Sequence, residues 1–172
     1  MLCKICERIE KEKELKIYED NEVIAFLEEK PEVPGQISLI PKKHFPILEQ
    51  LPDKLIGYIF TIANKLSSTL FDSIGCHGTN LLINNGIAAG QKHSHFILNI
   101  VPRTENDNIK LEWQPKQLSE EEISTTELKL KEHTASIGMI EEEKEKPIEI
   151  EKKNDTIKGK GNYLLKHLRR PA

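Results

Sequence analysis

Gly90-Gln91-Lys92-His93-Ser94-His95-Phe96-Ile97-Leu98-Asn99-Ile100-Val101-Pro102-Arg103 is the stretch on which the fold turns. Its alternation over Ser94 to Val101 predicts a β-strand. Residues of one parity share a face of a strand, so His93, His95, Ile97 and Asn99 line one side and Phe96, Leu98 and Ile100 the other. The all-apolar side is the expected core face. Asn99 on the opposite side implies a polar pocket or solvent. Taken alone, His95 has two readings, a satisfied core histidine or a ligand.

Working outward, Val23 to Leu27 is a short apolar run after the polar turn Glu19-Asp20-Asn21 and reads as a strand. Gly35 to Pro41 reads as another, opened by Pro34-Gly35 and closed by Pro41. Between Leu51 and about Phe71, Leu55, Ile59, Ile62, Ala63, Leu66 and Leu70 recur at helical spacing, which predicts an amphipathic helix with one buried stripe. Asn80 to Ile83 is a further strand, ended by the turn Asn84-Asn85-Gly86. Ser119-Glu120-Glu121-Glu122 is a capping box with Leu118 and Ile123 at staple positions, so a helix is expected from Glu120 to about His133.

Beyond it, Glu141 to Lys146 is a charge run, read as a solvated face or connector, and Pro147 closes it. Ile148-Glu149-Ile150 alternates like an edge strand, and Tyr163 to Leu168 suggests a short helix. The pattern is α+β: strands with a long packing helix over residues 1–134, and a charged C-terminal extension over 135–172.

The chain has 172 residues, enough for one cored domain with an appendage. A net charge of −3 gives no clear nucleic-acid signal. No apolar run approaches membrane-spanning length and the N-terminus lacks a signal-peptide core, so no membrane partner and a cytoplasmic location are expected. Three cysteines are an odd number for a disulfide framework. Cys3-x-x-Cys6 in such a chain points to metal or redox chemistry. The redox reading needs a strand–helix junction that does not follow here. Zinc needs further donors. The candidates are His44, His77, His93, His95, His133 and His167, and none pairs at zinc-finger spacing, so any site must be assembled by the fold.

Several motifs together resemble the histidine-triad (HIT) family. They are Cys3-x-x-Cys6, Tyr18-Glu19-Asp20, Ala25 to Glu28, Pro34-Gly35-Gln36, Pro41 to His44, Asn84-Asn85-Gly86, Gly90-Gln91 and Trp113 to Glu120. The likeness is colinear over roughly residues 1–130. It implies a HIT-like antiparallel sheet, a two-fold homodimer through the long helix and adjoining strand, and nucleotide chemistry at an α-phosphate. It also implies a structural zinc held by Cys3, Cys6, His44 and His95. For a nucleotide or nucleotide-like ligand it implies contacts from Phe26, Glu28, Asn84, Gln91, Lys92 and Asn99. Of these, Phe26 also reads as core and Asn84 as a turn former.

One departure decides the activity expected. Anchored on Gly90-Gln91 and on Pro102-Arg103, the three triad positions are His95, Ile97 and Asn99. The resemblance puts the nucleophile at 97. Isoleucine has no lone pair, and asparagine is no acid or base near neutral pH. His93, at about 3.3 Å per residue along a strand, is about 13 Å from position 97. Three readings follow: a nucleotide-binding module without the nucleophile, an active nucleotide hydrolase or nucleotidyl transferase using other residues, and a zinc-stabilised interaction scaffold.

Overall fold

A computed structural model describes residues 3–134 and 137, which fall into two units, one ending at Trp113 and one starting at Gln114. The first runs α1 (Lys4–Lys11), β1 (Lys16–Glu19), β2 (Val23–Leu27), β3 (Ile37–Pro41), α2 (Asp53–Ile74), β4 (Gly78–Leu82) and β5 (Leu98–Arg103). Its five strands form one sheet in the order β1-β2-β3-β5-β4, antiparallel throughout. This is the α+β architecture expected.

Period-two alternation sorts the side chains between two faces. Val23, Ala25, Ile37, Leu39, Leu98 and Ile100 point to one face and meet Ile59, Ile62, Ala63 and Leu70 of α2. Ile24, Phe26 and Ile40 point to the other and pack on Ile5 of α1, with Ile97 at the margin. Ser38 and Asn99, register partners in β3 and β5, fall on this second face. The first face is the main core, and the second carries the site.

The stripe predicted over 51–71 is α2, which continues to Ile74. It stops because Gly75 takes the left-handed conformation (φ +66°) and turns its N–H to the Phe71 carbonyl. Gly35, at φ +89°, leads into β3, where an added Cβ would lie 2.6 Å from Ile74 Cδ1. The backbone conformation favours glycine there, while the Ile74 methyl, at the end of an exposed side chain, can shift aside.

The strand expected from Ser94 begins only at Leu98. The pairing Ile37↔Ile100, Ser38↔Asn99, Leu39↔Leu98 goes no further. Pro41 has no N–H to offer, and its carbonyl is taken by the His95 ring at 3.0 Å. Phe96 turns its N–H to Phe45 instead, at 2.6 Å. The division of faces nevertheless survives, because Phe96 is buried with Leu98 and Ile100 while His93, His95, Ile97 and Asn99 line a common cleft. Two elements, α1 and β1, were not expected.

In the second unit, α3 (Glu120–Thr134) starts as the capping box predicts. Glu122 Oε2 accepts the Ser119 N–H at 2.9 Å, and Ser119 Oγ accepts the Glu122 N–H at 3.3 Å. Leu118 and Ile123 are both exposed. The expectations for 148–150 and 163–168 lie outside the described residues. No helix among the described residues is long and apolar enough to cross a membrane.

The β1–β2 turn is held by Asp20. Its carboxylate accepts from the Tyr18 hydroxyl (2.6 Å), the Tyr58 hydroxyl of α2 (2.7 Å) and the Glu22 and Val23 amides (both 2.8 Å). Burial works to raise its pKa, but the Tyr18, Val23, Tyr58 and Glu22 bonds outweigh it and hold the group down at about 2. A depressed carboxyl contributes stability above its unfolded pKa of about 4 and loses it as pH falls through the folded value. Asp20→Asn is therefore expected to lower stability at pH 7 by about 1 kcal/mol, the low end for bonds to a charge because the site is half-exposed. The gap between the two proteins should close between about pH 4 and pH 2. Urea unfolding of both across that range is the measurement.

Candidate metal centre and adjoining cleft

Three segments bring four donors together. Cys3 and Cys6 are one helical turn apart, at the N-cap and third position of α1, so both sulfurs face the same way. His44 follows the end of β3, and His95 precedes β5. Their donor atoms all lie within 4.8 Å of one another. Cys6 Sγ is 3.4 Å from His44 Nδ1 and 3.6 Å from His95 Nδ1, and Cys3 Sγ is 3.7 Å from His95 Nδ1. A tetrahedral ion with metal–sulfur bonds of about 2.3 Å and metal–nitrogen bonds of about 2.0 Å sets sulfur and nitrogen about 3.5 Å apart. The cluster has that edge length, so the residues fit a zinc-like ion of S₂N₂ coordination.

The second nitrogen of His95 supports the fit. Nε2–H donates to the Pro41 carbonyl at 3.0 Å, which leaves the Nδ1 lone pair directed at the cysteines. Burial depresses the His95 pKa against that bond, and the nearby His44 lowers it further. Burial, the neighbouring Cys3 and the Glu10 charge push the Cys6 thiol up. Without an ion the cluster thus holds a neutral imidazole and a protonated Cys6 thiol, and metal uptake must release protons.

Beside it, on the same face of the sheet, is a cleft of about 510 Å³. Glu28, Asn84, Gln91, Lys92 and Asn99 all line it, as do Ile97 and His93. Phe26 does not. It is 0 % exposed, part of the core beneath α1, with the Arg8 guanidinium carbon 4.6 Å from its ring centroid. Of the two readings open for Phe26, the core is where it sits.

The polar side chains of the cleft form a chain. Arg8 donates to Glu12 at 2.5 Å and to Glu28 Oε1 at 3.2 Å. Ser38 gives its proton to Glu28 Oε1 at 2.5 Å and lies 3.2 Å from Asn99 Oδ1. The Gln91 amide is engaged within its own loop. Its Oε1 accepts from Gly86 N–H (2.8 Å), and its Nε2 donates to the Pro46 and His93 carbonyls (2.6 and 2.8 Å). Asn84, exposed, reaches only the Gly90 carbonyl at 3.5 Å. Arg8 and Ser38 were missed from sequence. Ser38 did carry a signal, as the one polar residue in Ile37-Ser38-Leu39-Ile40. Arg8 carried none without α1.

Known proteins agree with this geometry. A family profile described as HIT domain matches residues 10–106. An adenylylsulfatase of Arabidopsis thaliana is 36% identical over 106 residues, which is 61% of this chain and 54% of the plant protein. The chain thus spans about half that relative's length. A HIT family member from Bacillus subtilis superposes with a TM-score of 0.71 at 27% identity, over 79% of this chain and 99% of its own. A zinc-bound histidine triad family protein from Mycobacterium smegmatis gives 0.60 at 26% identity, over 66% and 84% respectively.

Cys6 contacts both imidazoles, so Cys6→Ser should break the cluster. Metal content is expected to fall from about one equivalent per chain to well under half, with the unfolding temperature several degrees lower. Asn99→Ala, on the same face but outside the cluster, should keep its metal. Because uptake releases protons, affinity should weaken as pH is lowered. Elemental analysis and thermal unfolding with and without a chelator are the checks.

Proposed function

This chain belongs to the HIT family, and on that premise we propose that it is a zinc-holding nucleotide-binding protein that does not form a nucleotidyl-histidine. The observation that carries the reading is the side chains along the cleft at the two positions where the resemblance calls for imidazole. They are Ile97 and Asn99. His95 is engaged through both ring nitrogens, one with the cysteines and one with Pro41. Attack on phosphorus needs a free lone pair held in line with it. Ile97 has no lone pair, and the Asn99 amide oxygen, a poor nucleophile, is a hydrogen-bond acceptor from Ser38.

Zinc at Cys3, Cys6, His44 and His95 fills every coordination position with protein, so its chemistry is structural: it fixes α1 against the sheet. Binding then falls to the cleft. Glu28 Oε1 already accepts two bonds, and Oε2 is the atom to receive ribose hydroxyls. Lys92 provides a point charge for phosphate and Asn99 a neutral donor. Gln91 acts indirectly, by shaping the loop that presents Lys92. Three unpaired cysteines accord with a cytoplasmic setting. A second reading, a working nucleotide hydrolase or nucleotidyl transferase, is favoured by the adenylylsulfatase among its relatives.

Titration with AMP, GMP, ATP, a dinucleoside polyphosphate and adenylyl sulfate separates the two when the same samples are analysed for products. Binding without turnover and without an acid-labile nucleotidyl adduct is expected. A covalent adduct on the wild-type protein would falsify the proposal and promote the hydrolase. We also infer a two-fold dimer through α2 and the adjoining strand, where Phe60, Phe71, Ile74 and Leu81 are exposed. Light scattering at micromolar concentration should give twice the chain mass of 19.7 kDa, and a monomer mass sinks the inference.

A further inference from the structure

Beyond β5 the chain turns back and returns to the cleft. Antiparallel pairing sets Asn80 opposite Val101 and Leu82 opposite Asn99, so these side chains and that of Arg103 belong to the face that carries the site. Arg103, the last residue of β5, makes four hydrogen bonds there. Nε and Nη2 donate to the two oxygens of Asp107 (2.5 and 2.9 Å), Nη1 to Asn80 Oδ1 (2.6 Å) and Nη2 also to the Ile109 carbonyl (2.6 Å). The Asp107 side chain, 7% exposed, accepts in turn from the Thr104 and Ile109 amides, at 3.2 and 3.0 Å. Both backbone polar groups of Ile109 are thus held by the Arg103–Asp107 pair. Between them Asn108 takes the left-handed conformation, φ +60°, which asparagine tolerates. Ile109 and Leu111 line the cleft together with Leu82, Ile97 and Val101, and give it an apolar side besides the polar chain from Arg8 to Asn99.

We propose that Arg103 is a positioning residue for ligand binding: with Asp107 it clasps residues 104–109 and holds Ile109 and Leu111 as a preformed apolar wall against the bound nucleotide. This rests on the nucleotide reading above and adds the element that bounds one side of the cleft.

The direction of the bonds favours this role over a mere stop to β5. A stop is complete once Asp107 has met Arg103 and the Thr104 amide. Two further bonds go to Ile109, whose side chain is in the cleft lining, and one goes to Asn80 on β4, the strand that supplies Leu82. The clasp therefore ties one part of the apolar lining to another. A wall fixed before the ligand arrives loses little entropy on binding. Four bonds from one planar fork are beyond lysine, which offers a single point charge.

The test combines calorimetry with AMP and limited trypsin digestion on the zinc-loaded full chain. Lys110 is exposed between the two wall residues, so cleavage after it reports the position of the wall. AMP should protect that bond in wild type. Arg103→Lys should speed its cleavage and weaken AMP binding about fivefold, the equivalent of ordering the loop at each binding event. Zinc content should not change, because the donors of β5 and its approach lie at the other end of the strand. Ile109→Ala with Leu111→Ala should weaken AMP binding by a similar factor. Adding Arg103→Lys to that pair should cost nothing more, since the clasp acts only through the wall. Should Arg103→Lys not fold, AMP protection of wild type and the alanine pair carry the test. Full AMP affinity in Arg103→Lys or in the alanine pair, additive losses in the combined variant, or no protection of Lys110 by bound AMP overturns the proposal and leaves the nucleotide reading standing. If wild type binds no nucleotide, that reading falls and takes this one with it.

Discussion

His95 is a fully buried histidine with both ring nitrogens engaged, and the second face of the sheet is organised around it. Nε2 takes the Pro41 carbonyl, which ends the β3–β5 ladder and lets the chain leave the sheet before Leu98. Nδ1 meets Cys3 and Cys6, which anchors α1. An isolated helix of eight residues is not stable in water, and α1 buries only Ile5 fully. Its place depends on what grips it from outside. That grip is the Cys–His cluster at one end and the Arg8 bonds to Phe26 and Glu28 at the other. Remove the imidazole, and the Pro41 carbonyl and the Cys3 thiol lose their ring partner together, while Cys6 is left with His44 alone. Loss of partners for buried polar groups is what makes such a position costly to change.

The two sheet faces carry different duties. The α2 face is apolar nearly throughout, and its stability scales with buried area, at about 25 cal/mol per Å². The α1 face is only partly covered. Ser38, Glu28 and Asn99 lie beyond the apolar contacts of α1, and there a polar chain that starts at Arg8 of α1 replaces apolar packing. The cleft is thus bounded by polar side chains on the face that α1 only partly covers.

Much of this was legible in the sequence, for identifiable reasons. α2 follows from helical periodicity over several turns, and β2 to β4 from short apolar runs bounded by turn residues. α3 follows from a reciprocal cap whose partners are three residues apart. Cys3 and Cys6 were legible in their spacing, but His44 and His95 only through resemblance, since no spacing on the chain joins them. What stayed hidden is equally specific. Cys3 to Lys11 offers Ile5 and Ile9 as its aliphatic residues among five charged ones, too thin a stripe for periodicity to find α1. β1 is an edge strand with three of four residues exposed, so burial leaves no pattern to read. The late start of β5 is a tertiary effect, because the alternation runs on through 94–97 while Pro41 and His95 forbid the ladder. Phe26 fell in the core because Arg8, on the unforeseen helix, covers it.

The substitution at position 97 takes on a physical sense from these placements. Ile97 packs against the cluster of Ile5, Ile24, Phe26 and Ile40, two residues from His95. An imidazole there must stay unprotonated in a half-apolar setting or carry a charge beside the His44–His95 pair, and both conditions are unfavourable. Isoleucine instead adds apolar contact beneath the helix that carries Cys3, Cys6 and Arg8. Position 97 is thus shared between two demands. A nucleophile needs it exposed to the cleft and polar, while a firmly seated α1 needs it apolar. In this chain the second demand wins, and the same helix then places Arg8 over Phe26. That helix also supplies two of the cluster's four donors, so the packing at position 97 and the Cys–His cluster support each other.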